Sequence, residues 1–128
     1  MLDHLGIPVS DLARSRAFYL TALAPLGYGI QLEVTAEQTG GHAAIGFGVS
    51  GKPFFWIGEG QPASSVHVAL VAGSRADVDA FHRAALATGG HDNGAPGLRP
   101  HYHADYYGAF VLDPDGYNVE AVCHAPKA

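Results

Sequence analysis

The chain has 128 residues, 48% of them hydrophobic, and twelve acidic against seven basic side chains give it a net charge of −5. That length and apolar content suit one domain with a core of its own. The acidic balance, without any run of basic residues, speaks against a nucleic acid or an anionic membrane as partner, and no apolar stretch approaches the roughly 20 residues of a spanning helix.

In chain order, Leu2 to Val9 alternates as a strand does, Ser10 or Asp11 can cap a helix, and Leu12, Tyr19, Leu23 and Leu26 recur at helical spacing until Pro25 and Gly27 end it. Three short strand-like segments follow, about 28–34, 43–49 and 53–58. Residues 59–64 read as a linker. The pattern then begins again: a strand over Ser65 to Val71, a capping pattern at Ser74-Arg75-Ala76-Asp77, and a helix with Val78, Phe81, Ala85 and Leu86 on one face, stopped by Gly89-Gly90. Strands are expected at about 98–103, 106–113 and 117–123.

At an offset of 63 positions His4 falls on His67, Asp11 on Ser74, Ala17 on Ala80, Phe18 on Phe81, Leu23 on Leu86 and Gly27 on Gly90. The chain is therefore read as two βαβββ modules, about 1–62 and 63–128, within one domain. Two such modules can curl their sheets around a shared cleft, where equivalent residues meet.

Single residues carry further expectations. Cys123 is the sole cysteine and cannot form an internal bridge, and Met1-Leu2-Asp3-His4 lacks the features of a signal peptide, so a reducing cytoplasm is expected. Cys123 and His124, adjacent on a strand, face opposite ways, which leaves Cys123 as packing. The run from Gly46 to Gly51 fits a dinucleotide-binding glycine pattern, but Lys52-Pro53 and an aromatic strand stand where a helix should begin. Eight histidines outnumber Lys and Arg together, and imidazole is the commonest metal ligand. His42, His82 and His91 have no ligand-like partner at metal spacing and are expected to be solvated.

His4 with Val9-Ser10-Asp11-Leu12-Ala13-Arg14-Ser15 and Phe18-Tyr19, the equivalent His67, and the closing Asp113-Pro114-Asp115-Gly116-Tyr117-Asn118-Val119-Glu120 resemble the vicinal oxygen chelate superfamily over essentially the whole chain. That group includes glyoxalase I, extradiol dioxygenases, fosfomycin-resistance thiol transferases, methylmalonyl-CoA epimerase and bleomycin-binding proteins. The resemblance implies an α+β fold, two βαβββ modules forming a curled mixed sheet around a central cleft. It also implies one divalent ion (Fe, Mn, Zn, Ni or Co) held by His4, His67 and Glu120, and a homodimer in which a site can be built from two chains.

Two imidazoles and a carboxylate leave open positions on a six-coordinate first-row ion for substrate oxygens. Matching the turn glycines Gly51 and Gly116 sets Phe55 opposite Glu120, where four-ligand relatives carry another ligand, so the glyoxalase I pattern of two carboxylates is broken. Residues 98–107 are rich in groups that move protons or stack. Alternation there puts His101 and His103 on one face and Tyr102 on the other, so these three are candidate acid or base groups, the alternative being strand-edge surface residues. Phe55, Trp56, Arg99, Tyr106 and Tyr107 are candidates to touch substrate, with Phe54 adding to an apolar wall or packing in the sheet.

Two functions remain open. One is a metal-dependent lyase, isomerase, dioxygenase or thiol transferase acting on a small molecule with adjacent oxygens. The other is a metal-free binding protein of the bleomycin-resistance kind, which sequesters its ligand in an aromatic groove.

Overall fold

Both main helices present the same four positions inward. In helix α1 (Leu12–Ala22) Ser15, Phe18, Tyr19 and Ala22 are buried, and in the helix Arg75–Ala87 the buried residues are Val78, Phe81, His82 and Ala85, each 63 positions later. Spacing of i, i+3, i+4, i+7 puts each set on one stripe. Asp11 and Ser74 cap the two helices by accepting from the backbone N–H groups of Arg14 and Asp77.

The computed structural model describes residues 1–126. The elements run β1 (Leu5–Val9), α1, a 3-10 turn at Ala24–Leu26, β2 (Gly29–Val34), α2 (Ala36–Thr39), β3 (Ala44–Val49), β4 (Lys52–Glu59), β5 (His67–Val71), α3 (Arg75–Ala87), β6 (His91–Leu98), β7 (Tyr107–Leu112) and β8 (Asn118–Cys123). The strands form two four-stranded mixed sheets of the same topology, β1-β4-β3-β2 and β5-β8-β7-β6. In each, the first strand runs parallel to the last of its module, and the other pairs are antiparallel.

One face of each sheet forms the core, through Ile7, Val9, Ile45, Phe47, Phe55 and Ile57 in the first and Val68, Leu70, Ala109, Val111, Val119, Ala121 and Cys123 in the second. Tyr19 joins them, its ring edge-on to Phe18 at 4.9 Å and to Phe55 at 5.1 Å. The opposite faces are open, and on β5 the alternation is plain: His67, Ala69 and Val71 are exposed while Val68 and Leu70 are buried.

The Asp113-Pro114-Asp115-Gly116 turn fastens the second module to the first. Asp113, 2% exposed, accepts from the backbone N–H groups of Asp115 and Tyr117, each at 2.9 Å, and from the Tyr19 hydroxyl. Asp115 accepts from Ser10, and the Tyr117 hydroxyl donates to the carbonyl of Pro8 at 2.6 Å. Burial raises the Asp113 carboxyl above its ordinary range, against the pull of these donors.

Several expectations change. The first strand of the second module's final three lies at His91–Leu98, and residues 99–106 form turns in which Tyr102 and His103 donate to the Arg99 carbonyl. Gly94, Pro96 and Gly97 hide this strand because they are poor strand formers, and it pairs with β7 through register shifts at Asp92/Gly94 and Gly94/Gly97. The alternation argument for His101, Tyr102 and His103 therefore falls. Leu86 is exposed, unlike the fully buried Leu23 it matches. His82 is buried and paired with Asp92 at 2.9 Å, so it is not solvated. Residues 36–39, between the first two strand segments, form a helical turn whose Thr35 and Gln38 bond reciprocally.

Candidate functional site

The open face of the second sheet holds a buried carboxylate. Glu120 is 1% exposed, on the β8 face shared with Asn118 and Val122. His67 opens β5 beside it, and its Nε2–H donates to Glu120 Oε1 at 2.9 Å. The Tyr106 hydroxyl donates to Oε2. A Cβ on Gly108 would lie 3.2 Å from the Tyr106 ring and 3.4 Å from Glu120 Oε2, so glycine there gives the phenol room to cover the carboxylate.

No Lys or Arg among the described residues pairs with Glu120. Burial first, and then the bond to Glu120, push the Tyr106 phenol up to about 12. It therefore keeps its proton at neutral pH and acts as a donor.

Around Tyr106 stand further rings. Tyr102 is edge-on to it at 5.1 Å and lies at a tilt against His101 at 4.2 Å, while His124 is edge-on to Tyr106 at 5.1 Å and lies 5.7 Å from His103. His103 Nδ1 accepts from the backbone N–H of Asp105 at 3.1 Å, which leaves Nε2 as the nitrogen free for proton transfer. The loop thus brings His101, Tyr102 and His103 to the rim above Glu120 by turns rather than by strand alternation.

His4 stands elsewhere. Its Nδ1–H donates to Asp3 Oδ2 at 2.6 Å, and Lys52 Nζ donates to the same oxygen at 2.7 Å. A carboxylate on one imidazole nitrogen fixes the tautomer and leaves the other nitrogen as a potential ligand. His4 lines a groove of about 520 Å³ on the open face of the first sheet, together with Asp3, Gly6, Ala44, Lys52, Pro53 and Trp56. Among the described residues no three His, Cys, Asp or Glu side chains of one chain form a metal-binding group. The chain thus joins His67 to Glu120 and leaves His4 apart from them.

Three expected contacts are corrected. Phe55 is fully buried in the core. Register shows why: Leu5 pairs with Phe55 and Gly6 with Trp56 in the first module, as Val68 pairs with Val119 and Ala69 with Glu120 in the second. Trp56, not Phe55, therefore stands at the place of Glu120, because a one-residue slip turns a strand residue to the other face. Tyr107 points to the helix side, donating to Asp79 Oδ1 at 2.6 Å beneath Arg75. Arg99 is engaged with its own strand, donating to the carbonyls of Gly97 and Ala95 at 2.9 Å and lying over Phe110. Asp3, Lys52 and Gly108 were missed, and of these Asp3 was foreshadowed only by standing next to a candidate ligand.

Comparison with known proteins fits this architecture. The family model of the Glyoxalase/Bleomycin resistance protein/Dioxygenase superfamily matches residues 1–121. A glyoxalase/bleomycin resistance protein from Albidiferax ferrireducens T118 superposes with a TM-score of 0.74 at 30% identity, covering 94% of this chain and 96% of that one. Glyoxalase I from Zea mays has the same fold at 21% identity, with a TM-score of 0.72 over 96% of this chain and 46% of the maize chain. No curated protein matches. No helix among the described residues is long and apolar enough to cross a membrane. On the match over residues 1–121 and the paired βαβββ sheets, the chain belongs to the Glyoxalase/Bleomycin resistance protein/Dioxygenase superfamily.

Proposed function

We propose that the protein is a divalent-metal-dependent enzyme acting on a small molecule with adjacent oxygens, at sites completed by pairing of two copies of the chain. Glu120 carries this reading. A carboxylate 1% exposed, partnered by one imidazole and one phenol and by no Lys or Arg among the described residues, is costly to bury without a compensating cation. The nitrogen and oxygen donors fit a first-row divalent ion. His67 and Glu120 of one chain with His4 of the partner subunit would hold it.

Pairing is supported by what the open faces present. Val71, on the face of Glu120, is 63% exposed, and His4 lines the face of the first sheet, away from the other two ligands. A twofold arrangement that sets the first sheet of one copy against the second sheet of the other would cover both faces and form two equivalent sites.

The ion, when bound, would supply Lewis acidity that stabilises negative charge on the substrate oxygens. The chain's own side chains do the rest. Tyr106 holds Glu120 Oε2 and so fixes the carboxylate plane, Asp3 fixes the His4 tautomer, and His103, through its free nitrogen, moves a proton at the rim. The substrate is a small molecule, and lyase, isomerase, dioxygenase and thiol-transfer chemistries all fit a three-ligand site.

A metal-free binding role is the second reading, favoured by the rings of Trp56, Tyr102, His101 and His124 at the two faces. Metal analysis after reconstitution with Fe, Mn, Co, Ni or Zn separates the two. The enzyme reading expects one ion per chain in the wild type and background in Glu120→Ala. Background levels in both contradict it and leave the binding role.

A further inference from the structure

The groove beside His4 is built differently from the pocket around Glu120, and its construction bears on the substrate. Trp56 is half-buried on the open face of β4. A Cβ added to Gly46 on the neighbouring strand would lie 3.0 Å from both Cε2 and Cζ2 of the indole and 2.7 Å from Cβ of Pro53. Only glycine lets the indole lie over β3 at this point, braced by Pro53. The ring therefore has a fixed seat.

The charges at the groove are spent on each other. Lys52 is held by Asp3, and Asp3 also holds His4, so the remaining lining of Gly6, Ala44, Pro53 and Trp56 is uncharged and mostly apolar. A seat of this kind favours a flat apolar group, because a planar ring gains stacking energy on an indole beyond its buried area and a puckered ring does not. By register Trp56 occupies on the first sheet the place Glu120 occupies on the second.

We infer that Trp56 is a specificity-determining residue, a stacking platform that selects substrates carrying a flat, uncharged aromatic ring next to their paired oxygens. The inference rests on the proposed site for the oxygens but names a feature that site does not: the shape of the rest of the substrate. The paired oxygens engage the second sheet's ligands, and the ring lies against the first sheet's indole.

A matched pair of probes tests it. Benzohydroxamic acid and cyclohexanecarbohydroxamic acid carry the same adjacent oxygens and differ in whether the ring is flat. Calorimetric titration of the metal-reconstituted full chain should show the flat acid binding about three- to tenfold tighter, the range expected for one stacked aromatic pair. Trp56 is the only tryptophan, so quenching of its fluorescence by the flat acid reports contact directly. Trp56→Leu should abolish the preference by weakening the flat acid more than the cyclohexyl acid, and Trp56→Phe should retain the preference.

Equal binding of the two acids to the wild type, an equal loss of both in Trp56→Leu, or no binding of the flat acid at all overturns the inference. If Trp56→Leu does not fold, a preference absent from Trp56→Phe overturns it equally. Stripping the metal distinguishes the two readings. Unchanged affinity of both acids counts against the metal site, whereas disappearance of their ratio in the loaded protein counts against the platform.

Discussion

On the first sheet the open face carries His4, Gly6, Gly46 and Trp56; at the matching places the second sheet carries His67, Ala69, Phe110 and Glu120, with Tyr106 folded over the carboxylate. The helices behind the two sheets bury the same four positions, so the divergence lies on the faces turned away from the core. Duplication thus supplied two equivalent scaffolds. One face carries a buried carboxylate joined to an imidazole and the other a tryptophan seated over a glycine.

The turns that close the modules differ in the same way, and this contrast can be broken by mutation. In the second module Asp113 ties the turn to Tyr19 of the first. Asp113→Ala would leave a buried hydroxyl and two backbone N–H groups without their acceptor and should cost about 3 kcal/mol of stability, against about 1 kcal/mol for Tyr19→Phe, by denaturant titration. Equal effects of the two would mean that the backbone bonds contribute nothing.

Asp113 also sharpens the contrast through pH. Its carboxyl is raised in the folded protein by burial, so the folded state binds the proton more tightly than the unfolded chain does. The neutral form therefore favours the fold. This contribution is present below the ordinary carboxyl value of 3.8 and is lost as pH rises through the raised folded value. Asp113→Asn should flatten that segment of the stability profile, and a profile identical to wild type would contradict the assignment.

The smallest effect belongs to the first module's turn, where Ser50 adopts a φ of 52° ahead of Gly51 at 80°. Positive φ costs a non-glycine residue of the L series, and glycine removes that cost at some loss of chain entropy. Ser50→Gly should therefore stabilise by about 0.5 kcal/mol, seen as a slightly higher Tm. A lower Tm would show that the serine side chain holds the turn by some other means.

The sequence disclosed the helices and the duplication because burial at Phe18 and Phe81 follows a helical period that chemistry alone can display. His82, expected to be solvated, stands 63 positions after the buried Tyr19, a signal in the repeat that went unused, and each uses its polar tip on an aspartate, Asp92 and Asp113. Strand β6 was hidden, since its glycines and proline are tolerated only through bulged pairing and through the bonds Arg99 makes to its carbonyls. The exchange of Phe55 for Trp56 has a subtler origin. The turn glycines match at 65 positions, whereas the paired strands match at 64 for Phe55 and Val119, and one residue of slip turns the side chain over. Separation of His4 from Glu120 within one chain was not readable at all, because a repeat shows which positions are equivalent and not which copies face each other.

Mixing two variants tests the proposed shared site most directly. His4→Ala and Glu120→Ala, each unable to hold metal alone, should recover about a quarter of the wild-type metal content after equal and complete subunit exchange. Half the pairs are then mixed, and each mixed pair keeps one intact site of its two. A mixture that binds no more metal than its separate components would contradict the account.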